Sequence, residues 1–253
     1  MAGVWLAAIS GLIGGGTLLV GAALAWFVDI PQRVVAGIMA LGAGVLISTL
    51  AFELVEEAAE DGGLVPTTLG FLAGSIIYIV ADWAVSRPKE ERPSTPANIV
   101  ARRQGAKLAG GTGAAIAIGA LIDGIPESIV MGLSVLQGGI SIPIVAAIAI
   151  SNFPEGLGST AALKSSGSSG RKIAFLWGGI AAVTVVASVL GYVAFQAASP
   201  GLIAVITTIA AGGLLAMVCN TMIPEAFAEQ RALTGLYATV GFLAAFLLHE
   251  LAG

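Results

Sequence analysis

Asp123, Glu127 and Glu155 are the residues of this chain whose chemistry stands out, because each falls in the middle of a long apolar run. A charge near the centre of a bilayer costs at least ~2.5 kcal/mol even on the most lenient scale, so acids at that depth are functional by default. Their local sequences are related. Asp123-Gly-Ile-Pro-Glu127-Ser128 and Ser151-Asn-Phe-Pro-Glu155-Gly156 both set the glutamate of a Pro-Glu pair four positions after a polar residue. Residues four apart share a helix face, so Asp123 sits over Glu127 and Ser151 over Glu155, with Asn152 also within reach of Glu155. Two such faces turned toward each other make a ring of oxygen donors. No Lys or Arg lies at that depth, so a proton or a metal cation must balance the charge.

The prolines sharpen the expectation. A mid-helix proline removes one hydrogen bond and pushes away the carbonyl four residues back, which frees Ile122 ahead of Pro126 and Ile150 ahead of Pro154. In hydrocarbon a freed carbonyl needs a partner, and a cavity holding water or a cation supplies one. Broken helices with carboxylates at the midplane are what a cation-transport site requires.

The elements that must carry these residues follow from composition. The chain has 253 residues, 57% apolar and only 10% charged, with a mean hydropathy of +0.97. A soluble domain carries roughly 25% charged residues, so the expectation is an all-α polytopic membrane protein. The net charge of -4 offers no basic patch for nucleic acid, and the single Cys219 cannot form an intrachain disulfide. Eight stretches qualify as spans, at about 4–27, 34–57, 65–85, 109–134, 141–163, 173–195, 202–226 and 233–251. They are called helices 1 to 8 below. No basic residue precedes the first, which reads as a retained helix rather than a signal peptide.

Basic residues mark cytoplasmic loops. Every Lys and Arg falls in an odd-numbered connection: Arg33 in the first; Arg87 to Lys107 in the third; Lys164, Arg171 and Lys172 in the fifth; Arg231 in the seventh. Both termini are therefore expected outside the cell membrane, with one transporter domain over 1–253. A Pro-rich charged cytoplasmic loop is expected at about 86–108.

Segments 43–58 and 211–226 match without gaps at Ala43/Ala211, Gly44/Gly212, Leu46/Leu214, Glu57/Glu225 and Ala58/Ala226. They lie in helices 2 and 7, which cross in opposite directions. The plan this predicts is an inverted repeat, 3+2+3, with helices 1–3 related to 6–8 around a central pair and the cation site between helices 4 and 5. Glu53, Glu57, His249 and Glu250 gather at the outer side as candidate entrance residues, and Glu225 is the candidate at the inner exit. Asp82 reads as structural. His249 is the only histidine, and His-Glu-Leu-Ala-Gly lacks the second histidine of the HExxH zinc-protease motif.

At helices 4 and 5 the chain resembles the ZIP family of divalent-metal transporters, in its prokaryotic branch. Asp123, Gly124, Pro126 and Glu127 fall on the family's His-Asn-x-Pro-Glu-Gly pattern, and Ser151, Asn152, Pro154, Glu155 and Gly156 on its second Pro-Glu pattern. Asp123 stands where histidine is usual, Gly124 replaces the asparagine, and helix 6 offers no carboxylate. The resemblance implies a metal-ligand set of Asp123, Glu127, Asn152 and Glu155 with Ser151 in support, in a single-metal site. It implies alternating access of zinc, iron or manganese toward the cytoplasm, by a homodimer that is not an enzyme and has no resident cofactor. All-oxygen donors lean toward manganese or iron, while the family leans toward zinc. The competing reading is a proton-linked carrier of a small organic solute, with the same acids as proton sites.

Overall fold

The computed structural model describes residues 2–86 and 113–252, and the expected charged loop at about 86–108 lies almost wholly outside them. Among the described residues every regular element is helical. Helix 1 runs Ala2–Phe27, helix 2 Gln32–Gly62, helix 3 Leu64–Ser86 and helix 4 Gly113–Gln137. Helix 5 runs Ile142–Ser165, helix 6 Gly170–Ala194, helix 7 Pro200–Gln230 and helix 8 Leu233–Ala252. All eight are long and apolar enough to cross a membrane.

The helix ends are written in the sequence. Ser141, Ser169 and Ser199 cap helices 5, 6 and 7, each side chain accepting from the amide of the third residue onward. Proline opens helix 7, where its missing N–H is no loss. Helices 2 and 3 are joined by Gly63 alone, whose φ of 88° is a conformation that glycine adopts without strain. Helices 2 and 7 run several residues beyond the apolar windows, because their last turns are acidic or polar but still helix-forming.

Two features differ from expectation. Helices 4 and 5 continue unbroken through Pro126 and Pro154, and the Ile150 carbonyl lies against Gly42 of helix 2. The irregular backbone is instead in helices 2 and 7, which become π-helical at Leu50–Glu56 and Val218–Met222.

The helices pack in two groups: helix 1 on helices 5 and 6 with helix 4 on helix 6, and helix 2 on helix 8 with helix 3 on helix 7. Glycine brings the backbones together. A Cβ on Gly44 would overlap the Ala238 carbonyl, and one on Gly241 the Leu41 carbonyl; likewise Gly212 meets Phe71 and Gly74 meets Ile209. The other group repeats the device, with Gly21 on Phe153 and Gly156 on Leu18, and Gly132 on Ser188 and Gly191 on Ile129. Small residues serve this purpose where lipid removes the hydrophobic drive between helices. The largest buried cluster, including Leu46, Met131, Ile148 and Leu214, lies where the two groups meet.

The described odd-numbered connections gather at one end of the bundle. There Lys164 pairs with Asp29 at 3.2 Å and donates to the Trp26 carbonyl, and Gln230 donates to the Arg33 carbonyl. Large apolar side chains such as Trp5, Leu12, Ile76, Phe175 and Leu243 are exposed around the bundle, where lipid covers them.

Side chains added at the crossings are expected to cost about 1–3 kcal/mol or more. Gly44→Val and Gly212→Val should each lower the thermal midpoint in detergent by several degrees. Gly178→Ala, which meets open space, should leave it unchanged. Equal midpoints for all three would contradict the packing.

Candidate functional site

Asp123 and Glu127 of helix 4, Ser151 and Glu155 of helix 5, and Glu225 of helix 7 line one cavity of about 40 Å³. A single water needs roughly 10–15 Å³ of such space, so the cavity has room for a few waters or a partly hydrated ion. Met39 of helix 2 and Met217, Thr221 and Met222 of helix 7 complete the wall. Among the described residues no basic side chain lines it.

The i,i+4 spacing does what the sequence promised: it puts Asp123 and Glu127 on one face and Ser151 and Glu155 on another, and the two faces meet. Glu127 is 1% exposed, deeper than Asp123 and Glu155, which are part-buried. Asn152 and Ser151 lie within hydrogen-bonding reach of its carboxyl group. Its Oε2 nevertheless has no hydrogen-bond partner. A buried oxygen left so is costly in a low-dielectric interior, and a proton or a cation in the cavity offsets that.

Asn152 does not line the cavity. Its amide nitrogen donates to the Gly14 carbonyl of helix 1 at 3.1 Å, so it ties helix 5 to helix 1 while steadying Glu127 from behind. Ser151 donates to the Ile148 carbonyl within its own helix at 2.9 Å. Ser128, beside Glu127, does the same to Gly124 at 2.6 Å.

The acids of the opposite end form a separate group. Glu53, on the π-helical turn of helix 2, meets His249 Nδ1 of helix 8 at 2.7 Å. Its other oxygen accepts from Ser141, the residue that caps helix 5, at 3.2 Å. Phe52 stacks on the His249 ring at a centroid distance of 5.7 Å. Glu57 and Glu250 are exposed nearby. Glu225, expected as a remote exit acid, belongs to the central cavity itself.

Sequence reasoning missed Met39, Met217, Thr221 and Met222, which read as ordinary apolar positions in a spanning helix. Met217 and Met222 are five apart, a spacing that shares a face only where the helix widens to the i→i+5 bonding of a π-turn. The amide of Ile223 does bond back to the carbonyl of Val218. Among the described residues, no three His, Cys, Asp or Glu side chains are drawn close enough together to hold a metal ion by themselves. The cavity is thus an open cluster of donors rather than a closed coordination cage.

Comparison with known proteins finds no family model that matches the chain and no curated protein that matches it.

Replacing Glu127 with Gln keeps the size of the side chain and removes the negative charge that burial penalises. Glu127→Gln should therefore keep or raise thermal stability, by about 0.5–2 kcal/mol, as is common where a site is strained for function. A midpoint several degrees below that of the native chain would mean that the carboxyl group is a structural member of the core.

Proposed function

We propose that the protein is a permease for divalent transition-metal cations, zinc, iron or manganese, which it passes through the bilayer by alternating access. The observation that carries this reading is the convergence of Asp123, Glu127, Ser151, Glu155 and Glu225 on one small cavity. Carboxylates in that setting attract a cation strongly. The absence of a closed cage suits a carrier, since an ion held by every donor at once would not be released. The metal is the substrate and no resident cofactor is invoked.

The cavity volume of about 40 Å³ speaks against the organic-solute carrier, whose pocket would need roughly 300–1,000 Å³. The resemblance to ZIP transporters in the Pro-Glu motifs of helices 4 and 5 favours a metal as the cargo. The metal site would then lie chiefly between those helices, with Glu225 added from helix 7.

The reciprocal glycine contacts support the inverted 3+2+3 repeat. Gly44 and Gly212, aligned in the sequence match, make equivalent approaches to helices 8 and 3. The π-helical turns begin at Leu50 and Val218, positions that the same alignment places opposite each other. In this reading one group of helices, carrying the central pair, slides on the other. The end bearing Arg33, Lys164 and Arg231 faces the cytoplasm by the positive-inside rule, which sets both termini outside the cell membrane. A homodimer follows from the ZIP reading.

Uptake into proteoliposomes tests the proposal. The native chain should accumulate at least one of zinc, manganese, iron and cadmium, and Glu127→Ala and Glu155→Ala should each reduce the rate tenfold or more. No flux of any of these ions through folded native protein would contradict it.

A further inference from the structure

Three of the chain's five methionines, Met39, Met217 and Met222, border the carboxylate cavity. Two of them flank the π-helical turn of helix 7, where the backbone widens over Val218–Met222. In an α-helix residues five apart point well away from each other, whereas i→i+5 bonding stacks them. The turn thus delivers Met217 and Met222 to the same wall, with Thr221 between them in sequence. Both methionines are well buried, at 4% and 6% exposure, and belong to the largest apolar cluster. Their stems are therefore held by packing. The thioether sulfur is the one polar atom each can offer to the cavity.

We infer that the methionine pair of helix 7 makes this a mixed oxygen and sulfur site that selects soft and borderline divalent cations, such as cadmium, zinc and iron(II), over hard ones such as manganese, magnesium and calcium. This rests on the permease reading and deepens it. Carboxylates alone favour hard ions, while thioethers contribute little to manganese or calcium and more to softer metals. An uncharged thioether also binds weakly enough to let the ion leave. Leucine would fill the same volume as well, so the sulfur matters through what enters the cavity. The selectivity element lies on helix 7, and the charge-balancing acids lie mainly on helices 4 and 5.

The test compares cadmium and manganese uptake by proteoliposomes of the native chain, Met217→Leu, Met222→Leu and the double variant. Leu for Met conserves volume and usually costs under about 1.5 kcal/mol. The native protein should prefer cadmium. The double variant should lose cadmium uptake about tenfold while manganese uptake is kept, which also reports that it is folded. An unchanged cadmium-to-manganese ratio, or equal loss of both, overturns the inference and leaves the permease standing. A native chain that takes up neither of these ions, nor zinc or iron, overturns both. Cadmium X-ray absorption on Cys219→Ser protein, free of the single exposed cysteine, gives a readout that does not need the methionine variants. A sulfur shell is expected, and an oxygen-only shell overturns the inference.

Discussion

A carboxyl group held away from water in a region of low dielectric must be neutralised, by a proton, a metal or a basic partner. Glu127 is almost completely buried, one of its oxygens has no hydrogen-bond partner, and among the described residues no basic side chain lines the cavity beside it. Asp123, Glu155 and Glu225 share that cavity. The cavity itself, its position where the two helix groups meet, and the polar side chains that back it all follow from the need to keep these acids in one place. Asn152 shows the supporting role: bonded to helix 1 at Gly14, it fixes the helix that carries Ser151 and Glu155.

The surrounding helices hold their shape through close crossings of backbone on backbone. Backbone-to-backbone approaches through glycine occur within each group, at Gly44 and Gly212 in one and at Gly21 and Gly191 in the other. Between the groups Gly42 of helix 2 lies on the Ile150 carbonyl of helix 5, and side-chain packing and the cavity supply further contacts. Glu53 bridges the groups at the far end, joining helix 2 and helix 8 to the cap of helix 5 through His249 and Ser141. That link lies at the end opposite to the described basic loops, and the cavity acid Glu225 lies less than two turns from Arg231 at the basic end.

Much of this was legible in the residues. Apolar length gave eight spans, because a helix in lipid must satisfy its backbone internally and its boundary is marked by charge. The paired Pro-Glu motifs placed Asp123, Glu127, Ser151 and Glu155 together, since i,i+4 spacing survives in helices that stay regular. The prolines misled: both sit in unbroken helices, where Gly42 makes room for the Ile150 carbonyl. The π-turns were invisible because Glu53 and Glu56 in the one segment, and Asn220 and Thr221 in the other, sit as readily in an ordinary helix, and an extra residue in a turn is set by packing with neighbours. Without the π-turn, Met217 and Met222 have no common face, so their place in the site was hidden as well.

In the proposed function the buried carboxylates bind one divalent cation between them. Equilibrium binding to detergent-purified protein, by calorimetry with cadmium or zinc, tests it most directly when the native chain is set beside Glu127→Gln and Glu155→Gln. About one saturable ion per chain is expected, with protons released on binding, and loss of that ion in both variants. Binding that is absent from the native protein, or undiminished in the variants, would contradict it.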